Sequence, residues 1–317
     1  MLQHAMRLGG ALLGLAILSA AGAAASLPHP LAGAESREPA ATNVRQGRLP
    51  HDGAHLYYEI HGELSAARTP LLVLHGAYMS GQSMTEWVSG FDDRPVIVID
   101  QRGHGRSGPA SGPITYERLA DDALAVLHAE DVMRADVMGY SMGGGAALQM
   151  AIRAPDRVNR LVLVSAGARL SSVYPEILAG IAQITPEVFD GTPIRRDYDR
   201  LSGQPEGFAS LVEQLKALDA VPFDWSAQVA GLPHQTMIVA GDYDVMRPEH
   251  AVELFRLRGG GAADLAAQGI LTAAPPARLL ILPATSHVGV MAMSGPLISM
   301  VRPFLDDQAP PVPTGFF

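Results

Sequence analysis

Val137-Met138-Gly139-Tyr140-Ser141-Met142-Gly143-Gly144-Gly145 is the stretch on which the reading of this chain turns. Ala135 and Val137, with Val132 and Met133 just before, point to a short buried strand. Ala146, Ala147, Met150 and Ala151 then recur at helical spacing, and Pro155 closes the run. Gly139-x-Ser141-x-Gly143 lies between them, with the spacing of a nucleophile elbow. A strand that becomes a helix within two residues strains the backbone at Ser141. It also leaves no room for a Cβ at Gly139 or Gly143. The serine hydroxyl would stand above the sheet at a helix N-terminus, with the Met142 amide facing any oxyanion that forms. A glycine-rich turn closing helix on strand would show the same spacing, so the rest of the chain must decide.

Working outward, strand-like runs alternate with helical ones. Val44 to Leu49 and Leu56 to Ile60 flank Asp52-Gly53, a hairpin signal that predicts an antiparallel edge. Pro70 to Leu74, Pro95 to Asp100, Arg160 to Val164, Thr236 to Ala240 and Arg278 to Pro283 are continuous apolar runs, as strands buried on both faces read. Ser83-x-x-Glu86 has the pattern of a capping box opening a helix with Trp87, Val88 and Phe91. Thr115 caps an amphipathic helix through Leu119, Ala123, Leu124, Leu127 and His128. Further helices are expected over 248–257 and 296–305, with a loop and one short helix between 258 and 276. The alternation is that of a mostly parallel sheet flanked by helices.

From residue 170 to 230 the strand signal stops, and helical segments are broken by Pro175, Pro186, Pro193, Pro205 and Pro222. The clearest carries Phe208, Leu211, Val212, Leu215 and Leu218 inward, with Glu213, Lys216 and Asp219 expected on the outer face. This reads as a small helical insertion placed like a lid, too short for a core of its own.

The 317 residues carry a net charge of −9 without a basic stripe, which argues against nucleic acid as a partner. Lys216 is the only lysine, and there is no cysteine, so disulfides, thiolate metal sites and a cysteine nucleophile are excluded. Arg7 followed by the uncharged apolar run from Leu8 to Ala21, with small residues at Ala21-Gly22-Ala23 and Ala23-Ala24-Ala25, reads as a signal peptide over 1–25. The apolar run falls short of the roughly 20 residues a span needs, so export to the periplasm or medium is expected, without a stable membrane span after cleavage. An uncleaved N-terminal anchor is the alternative. Residues 26–42 read as a linker and 307–317 as a disordered tail, leaving 43–306 as the folded domain.

In chain order, Ser141 is followed by Asp242 and Asp244 after one later strand and by His287 after the last strand. Ser…Asp…His in that order, with His75-Gly76, Asp100-x-Arg102-Gly103-x-Gly105-x-Ser107, Gly139-Tyr140-Ser141-Met142-Gly143-Gly144 and Gly241-Asp242-Tyr243-Asp244, resembles the α/β-hydrolase superfamily, serine-hydrolase branch, from about Val44 to Asp306. The resemblance implies the α/β-hydrolase fold with a helical cap insertion, and a triad of Ser141 as nucleophile, His287 as base and Asp244 as orienting acid. Asp242 is the rival acid; the family's spacing after the glycine favours Asp244. An acid one strand earlier is ruled out, because Ser165-Ala166-Gly167-Ala168 holds no carboxylate. His75 and His104 fall in the family's turn motifs. His234 precedes a strand, at the wrong end of a parallel sheet for chemistry, and His250 falls on a helix. The resemblance makes the amides of Ala77 and Met142 the oxyanion hole. This is not the HGGG form, which speaks against bulky tertiary-alcohol esters.

Asp100 to Ser107 has neither Walker nor Rossmann spacing and reads as a supporting turn. Met79, Met142, Met246, Met291 and Met293 are better read as core filler than as walls of an acyl pocket. The expectation is an exported serine hydrolase acting on a small-molecule carboxylic ester, lactones included, with no cofactor or metal. Two alternatives stay open: a hydrolase of carbon–carbon bonds in ring-cleavage products, which shares the Ser-Met-Gly-Gly stretch, and a ligand receptor on the same fold with little turnover. Epoxide and haloalkane chemistry would need an aspartate where Ser141 stands.

Overall fold

A computed structural model describes residues 43–312 apart from 66, 67, 272 and 309. The expected signal peptide, the linker and the end of the tail lie outside the described residues.

Eight strands form one sheet in the order β1-β2-β4-β3-β5-β6-β7-β8. β1 (Val44–His51) and β2 (Ala54–His61) make the antiparallel hairpin, whose turn holds Asp52 and Gly53 at φ 42° and 74°. Both positive angles are what Asp-Gly supplies at least cost. β2 runs antiparallel to β4 (Val96–Asp100). From β4 onward the sheet is parallel: β3 (Leu71–Leu74), β5 (Ala135–Tyr140), β6 (Val158–Val164), β7 (Gln235–Tyr243) and β8 (Ala277–Ser286).

Successive side chains of β3 show why its sequence is apolar throughout. Leu72 and Leu74 belong to one core with Val137, Leu119 and Leu148; Leu71 and Val73 belong to the other, with Met138, Trp87 and Phe304. A strand buried on both faces has no polar side to display. Four helices are those the periodicity marked: Tyr116–Ala129, Met142–Arg153, Pro248–Leu257 and Ser294–Leu305. The Thr115 hydroxyl accepts from the Arg118 amide at 3.2 Å, as a cap should.

The expected capping box is displaced. Ser80, not Ser83, precedes the first turn, and Ser83 turns its hydroxyl back toward the Ser80 amide at 3.4 Å. The chain takes one 3-10 turn, Gly81–Met84, before the helix Thr85–Ser89, because the Asp100 carboxylate binds the Gly81 amide at 2.6 Å and fixes the turn's start.

Between β6 and β7 come the helices Pro175–Ile181, Pro193–Ser202, Phe208–Ala220 and Ser226–Ala230. The two ends of this insertion are tied together: Leu170 donates to the Phe223 carbonyl at 3.0 Å and Trp225 to that of Ala168 at 2.8 Å. Phe208 packs edge-on against Phe189 and Tyr198, while Tyr78 meets Phe189 at a ring separation of 4.7 Å and joins the insertion to the body. β3 stands between β4 and β5, where the strand order reverses. Ligands of open α/β sheets settle in the crevice at the carboxyl end of such a point.

Candidate active site

The loops after β3, β5, β7 and β8 meet at that crevice. Ser141, directly after β5, is held at φ 53° and ψ −118°, a conformation non-glycine residues rarely take. A Cβ on Gly143 would come within 2.2 Å of the Leu74 carbonyl oxygen, and one on Gly139 within 2.2 Å of that of Gly143. The close packing of helix, elbow and neighbouring strand therefore depends on both glycines.

Ser141, His287 and Asp244, far apart in sequence, lie in line. His287 Nε2 is 3.0 Å from Ser141 Oγ, and its Nδ1 is 2.7 Å from Asp244 Oδ1. The Asp244 side chain is wholly buried and that of His287 is 17% exposed, so the line runs from the interior out to the crevice. Burial works to raise the Asp244 carboxyl. Its hydrogen bond to His287 and the charge there, with the Ser165 hydroxyl and the Met246 amide, outweigh that and hold it below its usual value. The carboxylate stays ionised, as an orienter of imidazole must.

Asp242, the rival acid, is turned away. Its carboxylate accepts from the Thr285 amide at 2.9 Å and clasps the β8 loop from outside, and amide hydrogen bonds lower its pKa. Of the other histidines, His75 and His104 are fully buried and stacked edge to face at 5.1 Å. Burial pushes them down to about 4 and about 3, so both are neutral. His75 donates from Nδ1 to the Gly76 carbonyl (2.8 Å) and accepts at Nε2 from the Gln101 amide (3.0 Å), leaving it nothing to offer a substrate. His234 meets the Pro155 carbonyl at 2.9 Å, away from the crevice, and His250 lies beside Arg169 and Arg247. The Asp100 to Ser107 turn supports the site from behind: Asp100 accepts from Gly81 at 2.6 Å and Arg106 at 2.7 Å, pinning two loops.

Ala77 and Met142 both line the cavity that contains Ser141 and His287. Among the described residues, neither amide donates to a carbonyl or side chain. Met142 is the first residue of a twelve-residue helix, where an N–H has no intrahelical partner and the dipole favours negative charge.

Two neighbours of the triad went unassigned in the sequence. Ser165, at φ 53° after β6, donates to Asp244 Oδ2 at 2.5 Å. A hydroxyl thus stands at the end of β6, where an alternative acid would be placed. Tyr140, the first variable residue of the elbow, stacks on the His287 ring at 5.2 Å and donates to the His287 carbonyl at 2.9 Å. It braces the imidazole from below. The only advance signal for either was its place next to a strand end.

The cavity above Ser141 measures about 420 Å³ and is roofed by the insertion. Its walls are mostly apolar, among them Leu170, Ile177, Ile181, Leu215 and Phe223. Met142 and Met246 belong to the core and Met79, Met291 and Met293 pack against it, as filler would, and all but Met293 also line the cavity. A correction concerns Asp219. It faces the cavity, not the outer surface, because the roof helix turns the stripe of Leu215, Leu218 and Asp219 toward Ser141. Among the described residues no cluster of three or more His, Asp or Glu is arranged to hold a metal, and no helix is long and apolar enough to cross a membrane.

The family model described as the alpha/beta hydrolase fold matches residues 69–242. A Caulobacter vibrioides protein named as a candidate carbamate hydrolase, RutD, is 29% identical over 217 residues, covering 61% of this chain and 79% of its own. The 2-hydroxymuconate semialdehyde hydrolase of Pseudomonas sp. strain CF600 is 30% identical over 211 residues, covering 58% and 73%. The crystal structure of the enol-lactonase from Burkholderia xenovorans LB400 superposes with a TM-score of 0.61 at 23% identity, over 82% of this chain and all of the other, a likeness of fold. These relatives share hydrolysis and differ in the bond their names assign.

Proposed function

Because the chain belongs to the α/β-hydrolase family, we propose that it is a serine hydrolase that cleaves carboxylic esters, lactones included, through an acyl-enzyme. One observation carries this reading: the unbroken line of hydroxyl, imidazole and carboxylate, with gaps of 3.0 and 2.7 Å, opening under an apolar cavity beside two unengaged amides. Ser141 Oγ attacks the ester carbonyl carbon as His287 Nε2 takes its proton. Asp244 accepts from Nδ1–H and stabilises the imidazolium. The oxyanion is held by the amides of Ala77 and Met142, each such donor being worth about 3 kcal/mol in the transition state. The C–O bond then breaks, and the leaving alcohol receives the proton from Nε2. Water attacks the acyl-enzyme with His287 as base, releasing the acid and restoring Ser141. No step calls for a metal or a cofactor.

Similarity to a semialdehyde hydrolase favours one second reading, cleavage of a carbon–carbon bond in a vinylogous diketone by the same three residues. A series of p-nitrophenyl esters beside such a diketone separates the two, with Ser141→Ala as control. Multiple turnovers on the esters, lost in the variant by roughly six decades, support the esterase. Slow esters with a fast diketone support the second reading. Stoichiometric acylation without turnover makes the protein a receptor and overturns both.

Export is part of the proposal and rests on the pattern of Arg7, the apolar run and the small residues up to Ala25. It predicts a mature chain lacking residues 1–25 in the periplasm or medium; full-length protein confined to the cytoplasm contradicts it.

A further inference from the structure

Inside the apolar cavity stands one carboxylate with nothing to pair it. Asp219 lies near the end of the helix Phe208–Ala220 and lines the cavity together with Leu215 and Leu218. Among the described residues it makes no hydrogen bond and no ion pair, and burial alone raises its carboxyl to about 6. The other charged groups on the cavity wall each have a partner, although the buried Nε of Arg169 is left without one among the described residues. The Arg169 guanidinium binds Glu253 at 2.5 Å and His250 at 3.0 Å, Asp197 takes Arg200 at 2.9 Å, and His287 belongs to the triad.

Two phenols share the space with Asp219. Tyr78 and Tyr116 line the same cavity as Asp219, and burial first, then the Asp219 charge, push their hydroxyls well above the usual range. The Tyr78 hydroxyl is buried and, among the described residues, without a partner.

An acyl pocket for plain alkyl chains gains nothing from this arrangement. A carboxylate or hydroxyl desolvated by an incoming methylene chain loses its water and receives no bond in return. A substrate carrying a donor at that depth instead meets a partly buried acceptor that has no other partner among the described residues. Resting on the esterase reading above, we infer that Asp219, with Tyr78 and Tyr116, is the specificity-determining group of the cap, and that the substrate's acyl part ends in a hydrogen-bond donor, a hydroxyl or a protonated amine. A site built to bond such a group rejects the analogue lacking it far more strongly than an apolar pocket can reject one extra methylene.

The test compares kcat/KM at neutral pH for p-nitrophenyl butanoate, hexanoate and octanoate with the ω-hydroxy and ω-ammonio esters of the same lengths. At the best length the wild type is expected to favour a donor-bearing ester over the plain one by about tenfold or more, the value of one charge-assisted hydrogen bond. Asp219→Leu reverses that preference. Asp219→Asn, nearly isosteric and a safeguard should the leucine variant fold poorly, keeps a preference for hydroxyl but loses one for ammonium, so the pair identifies which donor is used. A wild type that prefers the plain ester at every length, or a ratio unmoved in both variants, overturns the assignment. Hydrolysis of p-nitrophenyl acetate by the wild type, abolished in Ser141→Ala, keeps the two failures apart. Without it the hydrolase reading itself falls; with it and no donor preference, only the role of Asp219 does.

Discussion

The hydroxyl of Ser165 and the carboxylate of Asp244 meet at 2.5 Å across the ends of two neighbouring parallel strands, β6 and β7. That bond occupies the second oxygen of Asp244 while His287 takes the first. A carboxylate issued from residue 165 would therefore start within reach of the same imidazole. Asp244→Asn alone should lower kcat by about 10⁴-fold, the usual result of losing the orienting charge. Adding Ser165→Asp to that variant should restore a measurable part, at least tenfold, with KM little changed. A double variant no faster than Asp244→Asn would mean that the end of β6 cannot serve as the source of the acid.

Asp242 and Asp244 can be told apart in solution. The Asp242 carboxylate accepts from the Thr285 amide while His287 bonds Asp244 instead, so Asp242→Asn should cost some stability and leave kcat within about threefold. Equal collapse of kcat in the two aspartate variants would show the assignment of Asp244 to be wrong. Thermal melts run alongside separate a loosened β8 loop from a lost orienter.

The parts of this protein that could be read in its sequence are those where the backbone leaves little choice. Gly139 and Gly143 are demanded by carbonyls 2.2 Å away, Asp52-Gly53 by two positive φ angles, and the apolar runs by burial on both faces of the sheet. Strand order offers Ser141, two aspartates and His287, the family resemblance favours Asp244 over Asp242, and the sheet brings Ser141, Asp244 and His287 together. What escaped depends on how separate elements are seated. Asp219 sits four residues after Leu215, on a stripe that one-helix periodicity could have continued inward; its charge argued for the outer face, and only the roofing of the cavity reverses that. Ser165 carries no carboxylate and so gives no sign of a role in the sequence, although what Asp244 needs there is a donor. Ser80 outcompetes Ser83 as the cap because Asp100, from another strand, fixes where the turn begins.

Strain at the elbow gives a prediction about stability. Ser141 is held at φ 53° and ψ −118°, a conformation costing about 1–3 kcal/mol for a residue with a Cβ, which glycine avoids at an entropic cost of about 0.5–1 kcal/mol. Ser141→Gly should therefore be inactive yet as stable as the wild type or more so, by up to about 2 kcal/mol in urea denaturation. Gly143→Ala is the opposite case, since its new Cβ meets the Leu74 carbonyl oxygen at 2.2 Å and backbone must move. It should lose about 3 kcal/mol or more, at the upper end of overpacking. A Ser141→Gly protein clearly less stable than the wild type would mean that the elbow stores no strain.

Acid stability should have a contribution from the antiparallel end of the sheet. Glu59 on β2 has its carboxylate 3.3 Å from His61 Nε2, receives the Tyr57 hydroxyl at 2.7 Å, and lies 3.6 Å from the Arg106 guanidinium. The His61 hydrogen bond is the largest influence; with Tyr57 and Arg106 it overcomes burial and holds the carboxyl down to about 2, against 4.5 when free. A depressed folded value means the native state binds fewer protons than the unfolded one between those two pH values. The stabilisation is thus complete above pH 4.5 and is lost as the pH falls toward 2. Glu59→Gln removes the charge, so the variant should be less stable than the wild type at neutral pH, with the gap closing steadily on acidification below pH 4.5. Urea denaturation of both proteins across that range measures it, and a gap that stays constant, or widens, would show that Glu59 titrates no differently in the folded and unfolded chains.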